Sequence, residues 1–188
     1  TVNALIANYL KAPAIAGSIK ADSVTSGTTE IGGIGVDLKR DGDWTNFTGG
    51  ATIAGIPAKA AGRVKIADGT TSVEVASGAA TVRGIKAAIA GPSTLSIANG
   101  VTSIERLVVD LGGGSVTLSG TTGQTLNLAA TFSALPAALA NDFSPGLDAV
   151  GMLDGTAQVT GSPANPDVGF NARLTGGESS QTRQAGLG

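Results

Sequence analysis

Few residues of this chain have the chemistry of a catalyst. Asp41 and Asp43 flank Gly42, with Asp37 four residues upstream of Asp41, and carboxylates so spaced can hold a cation or share acid and base work. Asp-Gly-Asp between two alternating segments is also the composition of a hairpin turn, the preferred reading. Gly32-Gly33-Ile34-Gly35-Val36-Asp37 matches the calcium-binding phrase GGxGxD. Such a site is completed by a stacked neighbour nine residues on. The chain has no second copy, so the segment reads as a Gly-rich turn into a strand over 34–38. Gly112-Gly113-Gly114 lacks the Lys-Ser/Thr ending and the strand-to-helix setting of a phosphate-cradling loop. It reads as a hairpin turn. Asn46-Phe47-Thr48 is a formal glycosylation sequon, expected by chance in a Thr-rich chain. Trp44 and Phe47 read as a local plug over one end of the sheet, with a joint binding platform as the rival.

The chain has no Cys and no His. Disulfides, thiolate nucleophiles, imidazole ligation and the usual general base are therefore excluded. Ser and Thr are abundant, but none has a base to activate it. No catalytic residue, metal ligand or cofactor is expected, and an enzyme is the weakest functional reading. Net charge is −2, with Lys and Arg scattered singly, which gives no electrostatic footprint for nucleic acid. Ten of the twelve basic residues lie at or before Arg106. The stretch from Leu107 to Ala172 holds none, against five acids: Asp110, Asp142, Asp148, Asp154 and Asp167. These acids read as solvated loop and strand-edge residues.

The elements that position these residues follow from composition. Gly, Ala, Ser and Thr supply 95 of the 188 residues, while aromatic residues are 3 %. Apolar and polar residues alternate over 15–21, 34–38, 64–66, 73–75, 95–97, 116–118, 126–128, 157–159 and 170–174. Period two is the signature of strands. Asp41-Gly42, Asp68-Gly69, Asn99-Gly100, Gly112-Gly113-Gly114 and Thr122-Gly123 punctuate them at hairpin spacing. The expectation is an all-β protein: a long antiparallel meander of about a dozen short strands. Residues 2–10 fit a strand and a helix equally. One short helix is expected near 135–143, on the i, i+4 line of Leu135, Leu139 and Phe143, capped by Ser133 and stopped at Pro145-Gly146. The chain starts at Thr1 and reads as a piece of a longer protein: one β-sheet module over 1–175 and a flexible tail over 176–188. Apolar faces built from small residues underfill a closed core and point to an open or hollow sheet.

The segment LPAALANDFSPGLDAVGMLDGTAQVTGSPANPDVGFNARLTGG, residues 135–177, resembles the C-terminal part of the TamB family. These are the translocation and assembly module subunits of the AsmA-like superfamily. Three features carry the resemblance: the Leu-Pro-led helix with its Pro145-Gly146 stop, the Gly-Leu-Asp phrase before the strand 151–161, and the hinge 161–166 leading into 168–174. The Pro-led start of a strand at 12–20 looks like a second copy, and 113–120 looks like the family's Gly-rich hairpin strand.

The resemblance implies a sheet curved into an open taco or half-barrel with an apolar concave groove. It further implies a periplasmic setting, an inner-membrane anchor on the full-length protein, and a role in phospholipid transport and outer-membrane protein assembly. The implied partners are phospholipid acyl chains or amphipathic outer-membrane protein segments, and a TamA-like outer-membrane barrel. By strand parity the groove lining is Val116, Leu118, Leu126, Leu128, Phe132, Ala157, Val159, Phe170, Ala172 and Leu174. Two rival readings remain open. One is a chaperone-like module whose sheet edge pairs with outer-membrane protein strands; the other is a β-solenoid adhesin passenger.

Overall fold

Alternation with period two can bury one face of a strand only if every neighbour presents the same face. The chain meets that condition with one continuous antiparallel sheet. The computed structural model describes residues 2–7, 14–26, 29–82, 84–142 and 148–178. In chain order the strands are β1 (Val2–Ala7), β2 (Ala14–Ser26), β3 (Thr29–Asp41), β4 (Trp44–Ile53), β5 (Ile56–Ala67), β6 (Thr70–Val82) and β7 (Ile85–Ile89). They continue with β8 (Ser93–Ala98), β9 (Val101–Leu111), β10 (Gly114–Thr122), β11 (Leu126–Pro136), β12 (Val150–Ser162) and β13 (Asn165–Glu178).

Sequence order is sheet order, with one variation. β7 and β8 follow one another in the gap between β6 and β9 and act as one interrupted strand. The interruption falls at Ala90-Gly91-Pro92, where proline has no N–H to give the ladder. Every strand pair in the sheet is antiparallel. Solenoid coils stack in parallel, so the solenoid reading does not fit.

Two-residue hairpins account for several turns. Asp68 and Gly69 have φ of 50° and 72°, and Asn99 and Gly100 have 52° and 73°. Two successive positive φ values match the twist of the flanking strands. Ala54 and Gly55, at 49° and 82°, make the same turn between β4 and β5. Gly112 and Gly113 link β9 to β10, as their composition suggests. The Gly32-Gly33 phrase is not a turn. It lies inside β3, where the register with β4 slips by one residue and Gly33 takes φ 55°.

Three further irregularities fall on one transverse line: the extra residue Ala76 in β6, the break before Ser93, and Glu105-Arg106 opposite Ser119. Bulges bend a strand and tighten its twist. The buried Ser93 hydroxyl fastens this line by donating to the Arg106 carbonyl at 2.7 Å.

The helix expected at 135–143 is corrected. Leu135 and Pro136 finish β11 opposite Leu153 and Met152, and only Ala137–Asp142 winds, as a 3-10 helix. Six residues are too few to nucleate a stable α-helix on their own. Ser133 does not cap it; its hydroxyl donates to Asp154 at 3.4 Å. Phe143, Pro145 and Gly146 lie outside the described residues. At the N-terminus the strand reading of 2–10 prevails as β1, with 8–10 outside the described residues. β13 runs on to Glu178, while residues 179–188 lie outside them.

No second layer packs on the sheet among the described residues. Among the residues whose burial is described, only Thr45, Ser93 and Gly114 are buried. The chain exposes 11647 Å², whereas a compact monomer of this mass would expose about 8,000 Å².

Candidate binding face

Residues directly opposite one another in a ladder project from the same side of a sheet, so the register assigns every strand residue to a face. One row runs Val64, Val73, Leu95, Ile104, Gly120, Leu128, Val159 and Val168, crossing from β5 to β13. At a strand spacing of roughly 4.8 Å it spans about 35 Å. A second row joins Val109, Val116, Phe132, Gly155 and Ala172, and a third joins Leu107, Leu118, Ala130, Ala157 and Phe170. Leu126 lies opposite Thr122 and Gly161, and Leu174 lies opposite Leu153. The register therefore brings Val116, Leu118, Leu126, Leu128, Phe132, Ala157, Val159, Phe170, Ala172 and Leu174 onto one side. The members on β10, β11 and β12 are half-buried, whereas Phe170 and Leu174 on the edge strand are 77 % and 50 % exposed.

The opposite side reads differently at the same strands. Lys65, Ser72, Ser96, Ser103, Thr121, Asn127, Thr160 and Asp167 form the matching polar row. Charge is segregated with it: Lys59, Arg63, Glu74, Asp154 and Arg173 all take the polar register. Arg40 takes the apolar register at the end of β3 and turns back, its Nε donating to the Gly42 carbonyl at 3.4 Å.

Four glycines on the apolar side are covered by large side chains from the next strand. A Cβ on Gly155 would lie 2.8 Å from Phe132 Cε2, and one on Gly62 2.8 Å from Phe47 Cζ. Ile89 covers Gly78 and Val36 covers Gly49 in the same way. Two strands share the room one aromatic ring needs, and the layer stays thin. The 3-10 helix meets the end of this side, where a Cβ on Gly112 would lie 2.9 Å from Leu139 and 3.6 Å from Ile85. Asn141 holds the helix by accepting from Ala149 N–H at 2.8 Å and donating to its carbonyl at 3.2 Å.

One bond reports on the relation of β2 to β4. The Ile15 N–H donates to Thr45 Oγ1 at 2.8 Å, although β3 lies between the two strands. In a flat sheet they would be roughly 9.6 Å apart. Thr45 faces Val64 and so projects from the apolar side, and β2 bends across the end of β3 on that side.

Hollows occur on both sides. Three lie on the polar side: two of about 410 and 560 Å³ where Gly35, Gly50, Ala61 and Ala79 thin it, and one of about 370 Å³ beside Asn46, Arg63 and Glu74. One of about 220 Å³ lies on the apolar side against Ala60, Gly78, Ile89 and Val109.

The remaining sequence motifs have local explanations. Trp44 and Phe47 differ in parity and project from opposite sides of β4, so they form neither a joint platform nor a joint plug. Trp44 lies under Arg63, whose guanidinium carbon is 4.4 Å from the ring centroid. Arg63 also pairs with Glu74 at 2.6 Å, and Lys65 pairs with Asp43 at 3.5 Å. Asn46 of the sequon is half-buried inside β4 between Lys39 and Arg63. Asp154 secures the bulge in β11 by accepting from Ala134 N–H at 2.9 Å. Among the described residues no three acidic side chains gather as a metal site would require.

The sequence missed Ile104, Leu107, Leu153 and Val168 as members of the apolar side. Ile104 and Leu107 break parity within one strand, and only the bulge at Glu105-Arg106 puts both on the same face. Comparison with family models, with curated proteins and with solved structures finds no match to this chain.

Proposed function

We propose that the apolar side carries or shields lipid acyl chains, in phospholipid transport and outer-membrane protein assembly. The observation that carries this reading is the uncharged row from Val64 to Val168, which has no covering layer among the described residues. In this reading the sheet is curved into an open taco or half-barrel with that side concave. The Ile15–Thr45 bond across β3 and the transverse line of bulges support such a curve. Each CH₂ moved from water onto the face contributes about 0.8 kcal/mol. A lining without polar clamps holds a chain by burial alone and leaves it free to slide. The TamB-like segment supplies the setting: the periplasmic part of an inner-membrane-anchored protein, working beside a TamA-like outer-membrane barrel.

Photo-crosslinking from single positions tests the reading. Probes at Leu118 or Val159 are expected to label phospholipid, and probes at Thr117 or Gln158 to remain unlabelled. Equal labelling from both sides overturns it. Val116→Asp combined with Leu118→Asp separates the rival chaperone reading. A module that grips barrel strands by its backbone edge keeps binding barrel peptides after this change, whereas an apolar-face carrier loses lipid.

A further inference from the structure

Among the described residues, β13 is the last strand of the sheet and is paired along one edge only. Its register with β12 is unbroken from Asn165 to Thr175, so roughly 37 Å of strand presents unpaired N–H and C=O groups. Natural sheet edges are usually blunted by bulges, charged side chains, proline or cover. Here Pro166 marks the start, Gly176 with φ 60° marks the end, and no bulge interrupts the residues between. The apolar side chains on this edge are open, with Val168 57 % and Phe170 77 % exposed.

The edge is also self-complementary. Asp167 and Arg173 stand three residues either side of Phe170, both on the polar register. Neither has an ion-pair partner among the described residues. Arg173 faces Asp154 across the ladder, but that carboxylate accepts from Ala134 N–H.

We propose that β13 pairs antiparallel with β13 of a second copy about a two-fold axis through Phe170. In this register Phe170 faces itself, Val168 faces Ala172, and Asp167 faces Arg173 twice. A parallel pairing would oppose Asp167 to Asp167 and Arg173 to Arg173, which is unfavourable. An axis between two residues would put the apolar sides of the two copies on opposite sides of the joint sheet. Any other residue on the axis separates Asp167 from Arg173. The proposed register alone keeps one apolar side and both ion pairs, and it stands independently of what the apolar side binds.

The chain contains no cysteine, so Phe170→Cys introduces a single thiol. Across the axis the two Cα atoms lie about 4.5–5.5 Å apart, within the span of a disulfide. Mild oxidation is expected to convert most of this variant to a covalent dimer, while Ala172→Cys, opposite Val168 of the second copy, stays largely reduced. Sedimentation of the cysteine-free chain gives a second readout. Asp167→Arg and Arg173→Asp should each weaken the dimer roughly tenfold, and the combined exchange should restore it. Circular dichroism on all three confirms that the sheet is retained. A wild-type chain that is monomeric at every concentration overturns the proposal. So does a dimer whose Phe170→Cys variant fails to crosslink, as in pairing through β1, or a double exchange no tighter than the single ones.

Discussion

β3 to β6 and β10 to β12 build the same apolar side behind two different polar ones. In the first region Phe47 lies over Gly62, and in the second Phe132 lies over Gly155. Behind Phe47 the polar side carries Lys59, Arg63, Lys65 and Glu74, with Arg63 set between Trp44 and Glu74. Behind Phe132 it carries Thr117, Thr131 and Thr156 in one row. The polar side thus varies from one carrying several ion-pairing charges to one that is mainly hydroxylic apart from Asp154, while the apolar side is kept. A sheet that only needed to stay soluble would have no reason to keep an uncovered apolar side more constant than its polar one.

The largest break in that comparison comes from the glycines. Gly155→Ala drives a Cβ into the Asn171 carbonyl and the Phe132 ring, and should cost about 2–3 kcal/mol in urea unfolding. Gly35→Ala, on the polar side of the first region with open space around it, should instead gain about 0.5 kcal/mol. If both substitutions cost the same, the pairing of glycine with a covering ring is not what the apolar side requires. Ser93→Ala at the line of bulges between the regions strands the Arg106 carbonyl and should cost about 1–2 kcal/mol, read from the shift in denaturation midpoint.

A smaller gain is expected from the first region's irregular turn. Ala54 sits at φ 49°, which suits asparagine better than alanine, so Ala54→Asn should stabilise by about 0.5–1 kcal/mol in thermal unfolding. The weakest effect is that of the ion pair. A double-mutant cycle on Arg63→Ala and Glu74→Ala should give a coupling of about 0.5 kcal/mol that fades at high salt, because both groups are substantially exposed. A coupling several times larger would mean that the charged side contributes to the fold as the hydroxylic side does not.

Much of the second region can be read directly from its sequence, and for a physical reason. Residues 115–122 pair with 126–133, and 155–161 pair with 166–172, without a slip. Parity counted along the chain therefore stays true across Val116, Leu126, Val159 and Phe170. It fails where the backbone inserts a residue. Phe132 and Leu135 share a side only because Ser133 and Ala134 together oppose Asp154, while the i, i+4 line of Leu135, Leu139 and Phe143 reads instead as a helix. The Ala54-Gly55 turn escapes a sequence reading because alanine is not a turn former. Trp44 and Phe47 are close in sequence, but an odd separation on a strand puts them on opposite surfaces.

The bulges at Ala76 and at Glu105-Arg106 have a consequence for how such a chain can change over time. A single added residue in mid-strand normally inverts everything beyond it. Here β6 and β9 each shift frame at the same height, and the residues on both sides of each shift still alternate apolar to one face and polar to the other. A protein built this way has a place where one-residue insertions and deletions are absorbed without turning a strand inside out.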